Sequence, residues 1–214
     1  LLLFKPQAPK PYARIPFPDS YRIGDTYSML VYDIKPDEFE YAFSFDGPYE
    51  PAKGLLFNEE NVLLDPYSRA VTGQRKWGEK PEGGKDFEYR ARVVKSSFDW
   101  GNIKQLEQPF EDLVIYETHV RGYTKDKSSG VSAPGTFAGL KDKIPYLKDL
   151  GINAVELMPI FEFDEMESAR VVDGVQLYNY WGYNTVSFFA PNTSYAFNEE
   201  HNHEGDELKS LIKA

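Results

Sequence analysis

The spacing of apolar residues between positions 113 and 158 constrains this chain more than any other feature. Residues 113–120 (LVIYETHV) form a mostly apolar run suited to a buried strand. From Thr136 the period changes. Phe137, Leu140, Ile144, Leu147 and Leu150 recur at intervals of three and four, one face of a helix. Thr136 has the side chain of an N-cap, Gly151 supplies a stop, and Pro145 falls where it must kink the helix or divide it. Residues 152–158 (INAVELM) read as a second buried strand, closed by Pro159. Strand, helix and strand at this separation predict a parallel pair joined by a right-handed crossover. Residues 186–189 (VSFF) are a third strand candidate, and 206–214 begin an amphipathic helix with Leu208, Leu211 and Ile212 on one face.

Upstream the grammar is different. Residues 27–32 (YSMLVY) and 40–45 (EYAFSF) are short and aromatic or β-branched, as strands are. Pro36-Asp37 supplies turn chemistry between them, and Asp46-Gly47-Pro48 is expected to end the second. Residues 49–67 read as extended and irregular, and Gly83-Gly84 marks a further break. The expectation is a multi-domain chain: an incomplete, immunoglobulin-like all-β sandwich over 1–100, then an unfinished α/β domain over 108–214. An α/β barrel takes about 250 residues, so the 214 residues read as a fragment open at both ends.

Composition narrows the partners. Aromatic residues make up 15% of the chain, with 15 Tyr and 15 Phe, a surplus that suits binding to flat, partly apolar ligands such as sugar rings. The net charge of −10, with no basic cluster, argues against nucleic acid. No run approaches the roughly 18 apolar residues of a membrane span, and no leader peptide is visible, so a cytoplasmic setting without membrane contact is expected. The absence of cysteine removes disulfides, thiolate metal sites and a Cys nucleophile. Phosphate-binding loops and a nucleophile elbow are also missing, and no cofactor or metal is expected.

Three groups of side chains carry candidate chemistry. Glu162, Asp164, Glu165 and Glu167 follow the 152–158 strand, where a barrel has its catalytic rim; without further context they read as a solvated acidic loop. His201 and His203 alternate in a polar stretch and also read as solvated loop rather than metal ligands. His119 and Arg121 lie at the end of the 113–120 strand, where either rim or scaffold roles are open. The Asn192-Thr193-Ser194 triplet matches a glycosylation acceptor, but nothing else points to secretion. In 177–196 (LYNYWGYNTVSFFAPNTSYA), Gly182 lets the backbone approach a neighbour closely, and the tyrosine hydroxyls need partners if buried. From the residues alone, aromatic core and ligand platform stand even.

Residues 46–73 (DGPYEPAKGLLFNEENVLLDPYSRAVTG), 111–124 (EDLVIYETHVRGYT), 135–165 (GTFAGLKDKIPYLKDLGINAVELMPIFEFDE) and 179–191 (NYWGYNTVSFFAP), in this order, resemble the isoamylase-type glycogen debranching enzymes of glycoside hydrolase family 13. The resemblance runs nearly end to end. It implies a family 48 carbohydrate-binding module followed by the first part of a (β/α)8 TIM barrel, and hydrolysis of α-1,6 branch linkages in glycogen or a related α-glucan. The family's mechanism is retaining, with a carboxylate nucleophile and a second carboxyl as acid/base. The resemblance puts those residues on later barrel strands, beyond Ala214, so no catalytic residue is assigned here and the chain alone is expected to be inactive. It does assign Tyr183 as the ring that stacks beneath glucose, with Trp181 and Asn184 as neighbours in the same motif, and leaves Phe188 and Phe189 as core. A glucan branching enzyme, or a non-catalytic α-glucan-binding fragment, is the alternative.

Overall fold

A computed structural model of the chain describes residues 1–79, 89–104, 106–198, 200 and 202–214. Gly83-Gly84 and His201 lie outside the described residues. The chain divides into two compact units, Leu1–Thr72 with Pro81–Lys95, and Gly73–Lys80 with Ser96–Ala214.

The first unit is built on an antiparallel sheet. Strands β1 (Leu2–Phe4) and β2 (Ala13–Arg14) pair at its edge, and a separate hairpin is made by β3 (Arg22–Ile23) and β4 (Thr26–Tyr27). Strand β5 (Glu40–Glu50) lies between β1 and β6 (Leu55–Leu63), giving the order β2-β1-β5-β6. All three β1 side chains are buried, and Leu2, Phe4 and Ala42 form the core against Val62. Three expectations are corrected. Of residues 27–32 only Tyr27 is in a strand, because β4 pairs for two residues and the chain beyond it, including Leu30 and Tyr32, is exposed. Asp46-Gly47-Pro48 does not end β5: register shifts against β6 absorb the Pro-Gly pair, and the ladder resumes at Tyr49↔Leu56. Residues 49–67, read as irregular, contain β6.

The second unit opens on β7 (Ile115–Thr118), shorter than the 113–120 run. His119 ends it by capping a short helix, α1 (Val120–Thr124). Thr136 caps α2 (Phe137–Asp142) by accepting the Gly139 N–H, and Pro145, at the start of α3 (Ile144–Asp149), divides the helical stretch in two. Gly151, at φ +88°, ends α3. Strand β8 (Ala154–Leu157) pairs parallel with β7, from Ile115↔Ala154 to Thr118↔Leu157.

Strands β9 (Phe161–Phe163), β10 (Arg170–Val172), β11 (Val175–Leu177) and β12 (Thr185–Pro191) follow. The third strand candidate, residues 186–189, lies within β12. β12 pairs antiparallel with β9 rather than joining β7 and β8, and β10–β11 is a hairpin of its own. Phe188 and Phe189, expected in the core, are 65% and 55% exposed, while Ser187 and Ala190 face inward. Helix α4 (His203–Lys213) sets Leu208 and Leu211 against the core of Val120, Phe137, Leu140, Phe163 and Tyr195, leaving Ile212 exposed. Among the described residues no helix is long and apolar enough to cross a membrane.

Candidate functional site

The chemistry of the second unit gathers around Gly182. This residue sits at φ +76°, and a Cβ on it would fall 2.5 Å from the Phe163 ring. Both the left-handed backbone and the close approach require glycine. With Gly182 seated on buried Phe163, the turn presents its flanks outward: Trp181 is 55% exposed and Tyr183 71%. Asn184 is held by donating to Glu167 and by accepting from Asn179 Nδ2 at 2.5 Å.

Behind the turn is an aromatic cluster. The His119 and Tyr180 rings stack at 4.1 Å with 9° between planes, and Tyr180 meets Trp181 edge-on at 5.2 Å. Trp77 makes edge contacts with Phe163 at 5.9 Å and Tyr180 at 6.0 Å and lies parallel to Tyr195. The Arg121 guanidinium lies 4.6 Å from the centre of the Trp77 ring, a cation–π contact. Gly122 makes room for Tyr180, since a Cβ there would collide with its hydroxyl.

The tautomer of His119 follows from its partners. Nδ1 accepts from the backbone N–H groups of Arg121 and Gly122, both at 3.1 Å, so the ring hydrogen is on Nε2. That nitrogen lies 2.8 Å from the Tyr180 carbonyl and 3.1 Å from Tyr195 Oη. Burial lowers its pKa, with the Arg121 charge adding to the effect, so the imidazole is neutral. His119 and Arg121 thus act as scaffold to the aromatic cluster.

Of the four carboxylates expected in a solvated loop, only Glu167 is exposed. Glu162 and Glu165 are fully buried. Glu162 accepts the Thr193 backbone N–H at 2.8 Å and lies under Gly73, where a Cβ would come within 2.6 Å of its Oε1. Burial pushes its carboxyl well above the ordinary range. Glu165 is pushed up to about 7, burial again being the main cause. Its Oε1 meets Ser194 Oγ, which also lies 2.6 Å from Asn192 Oδ1. One hydroxyl hydrogen cannot serve both acceptors. A protonated Glu165 donating to Ser194, which donates to Asn192, satisfies the chain of contacts. Asp164 accepts from Gln74 Nε2 at 2.5 Å, and Glu167 holds Asn184. Asn192 is itself buried and caps the Thr193–Tyr195 turn, which leaves it inaccessible to glycosylation in the folded unit. His203 opens α4 and pairs with Glu200 at 3.1 Å.

Between the turn and the β10–β11 hairpin is a hollow of about 560 Å³. Trp181 and Asn184 line it; Tyr183 does not. Trp77, which also lines it, escaped the sequence reading. The available signal was a lone tryptophan beside a glycine in a polar run, GQRKWGE. Aromatic faces beside amides, one carboxylate and one guanidinium suit a ligand with apolar C–H faces and hydroxyl edges.

Relatives narrow what the arrangement can serve. Isoamylase 1 of Arabidopsis thaliana, a chloroplastic protein, is 39% identical over 205 residues, covering 92% of this chain and 26% of its own length. The glycogen debranching enzyme of Yersinia enterocolitica is 35% identical over 216 residues, covering 94% of this chain and 31% of its own. Among solved structures, the pullulanase SAP of Group B Streptococcus matches with a TM-score of 0.54 at 26% identity, over 71% of this chain and 21% of that one. No family model matches. The chain is homologous to part of the isoamylase-type glycogen debranching enzymes, within glycoside hydrolase family 13. It spans between a quarter and a third of the two relatives' lengths, 26% and 31%.

Proposed function

We propose that the protein containing this chain hydrolyses α-1,6 branch linkages in glycogen or a similar α-glucan, with retention of configuration. Residues 1–100 are then most of a family 48 carbohydrate-binding sandwich and 108–214 the opening of a (β/α)8 barrel. The parallel β7–β8 pair with α2 and α3 between its strands supports the barrel assignment. The antiparallel order β2-β1-β5-β6 supports the sandwich.

The observation that carries the reading is the exposed aromatic turn on Gly182. Tyr183 offers a free ring face to a pyranose, whose C–H bonds pack on the ring while its hydroxyls bond at the edges. Trp181 and the anchored Asn184 flank it. The retaining mechanism needs two carboxyl groups about 5–5.5 Å apart on either side of the bond. Glu162 and Glu165, fully buried and engaged by Thr193 and Ser194, are scaffold and do not meet that need. The nucleophile and acid/base belong to parts of the enzyme outside these 214 residues.

The test is to incubate glycogen with the purified 214-residue chain and, separately, with the longest reading frame that includes it. Linear glucan should be released only by the longer protein. Release by the chain alone would overturn the assignment of the catalytic groups, and new branches formed by the longer protein would make it a transferase.

A further inference from the structure

The hollow beside the turn is built from more than the turn. Trp77, Arg170, Gln176 and Tyr178 contribute walls from other segments of the unit, while Tyr183 contributes none. Trp77 is fixed edge-on to Phe163 and Tyr180 and covered by Arg121, so its position is set by buried neighbours. Tyr178 rests on Gly78, at φ +76°, where a Cβ would lie 2.8 Å from the tyrosine ring. In the hairpin, Gln176 Nε2 donates to the Arg170 carbonyl at 3.2 Å and the Leu177 carbonyl at 2.9 Å. The amide is thereby held in place with its oxygen uninvolved in those bonds.

The wall carries one acid, Glu167, and one base, Arg170, so it selects neither anions nor cations although the whole chain carries −10. Its volume of about 560 Å³ falls among pockets that enclose small ligands. Aromatic side chains, fixed amides and a balanced charge pair match a neutral polyhydroxyl chain.

We propose that this hollow is a second glucosyl-binding site, which shares Trp181 and Asn184 with the turn but does not use the ring of Tyr183, holding a short stretch of α-glucan through Trp77, Tyr178, Arg170 and Gln176. The proposal rests on the α-glucan reading given above. Arg170 and Gln176 are exposed hairpin residues, so replacing them tests the site without opening the core.

The experiment is titration of the 214-residue chain with maltotetraose by calorimetry, with circular dichroism to check folding. Arg170→Ala should weaken binding about tenfold, the loss expected for one hydrogen bond to a charged group. Gln176→Ala should also weaken it, and Tyr183→Ala should leave this binding step in place. Should Gln176→Ala disturb the hairpin, Arg170→Ala alone decides. Unchanged affinity in Arg170→Ala, or loss of all binding in Tyr183→Ala, overturns the second site and leaves the α-glucan reading intact. So does a chain that binds no maltotetraose while the longer protein debranches glycogen. If the longer protein neither binds nor debranches α-glucan, the reading itself fails and the second site with it.

Discussion

Each unit buries acidic side chains, and the two units solve the problem differently. In the first, Glu40 lies in the core with the Arg90 guanidinium 3.5 Å away. Arg90 also covers the Phe4 ring at 3.8 Å and donates to the Ala8 carbonyl at 2.5 Å, so one cation joins β1, β5 and the loop after β1. In the second unit, Glu162 and Glu165 are buried with no cation in ion-pair distance among the described residues. Their partners are a backbone N–H and the hydroxyls of Thr193 and Ser194. A buried acid needs either a countercharge or a proton. The first unit uses a countercharge and the second a proton, so the second unit's stability is tied to pH.

The largest effect should come from breaking the first solution. Arg90→Ala removes the guanidinium and leaves the Glu40 carboxyl with the Gln7 N–H, at 3.3 Å, as its remaining partner among the described residues. Removing one member of a buried pair costs about 3–5 kcal/mol. Chemical denaturation of the variant against the parent measures it. A loss under about 1 kcal/mol would mean that the pair is not what holds β1 to β5.

The second solution is tested by pH. Burial raises Glu165 from 4.5 to about 7, so the folded form keeps a proton that the unfolded chain has released. Its contribution is full below about pH 4.5 and is lost as pH rises through about 7, a difference of about 3 kcal/mol. Glu165→Gln stays neutral and cannot follow this curve. Denaturation at pH 5 and pH 8 should show the parent losing roughly 2–3 kcal/mol more than the variant across that interval, the larger part of the full difference. Parallel losses would mean that Glu165 ionises without cost and that the proton is not part of the fold.

These two solutions also show why the sequence was legible in some places and not others. Thr136, Pro145 and Gly151 act on their own backbone, within one turn, and each did what its chemistry predicts. The burial of Glu162 depends on Gly73 and Thr193, far from it along the chain, and an acidic run read alone looks solvated. Phe188 and Phe189 misled for a similar reason. Register shifts between β12 and β9 turn Ser187 inward and leave the large rings outside, against the usual hydrophobic pattern. Trp181, Tyr183 and Asn184 sit on one turn, so a short motif names them together. Trp77 reaches the hollow from a segment about a hundred residues earlier, and only the fold brings it there.

A fourth acid sharpens the contrast from the other side. Glu167 is exposed and accepts a hydrogen bond from Asn184 Nδ2 at the rim of the hollow. It has water available, so it requires neither cation nor proton from the fold. Glu167→Gln keeps a side-chain oxygen that can accept the same bond, and the change in stability should stay within about 0.5 kcal/mol. Thermal or chemical denaturation beside the Arg90 and Glu165 variants checks it. A cost of about 2 kcal/mol or more would mean that the charge of Glu167 holds the Asn184 turn, and exposure would then no longer separate this acid from the three buried ones.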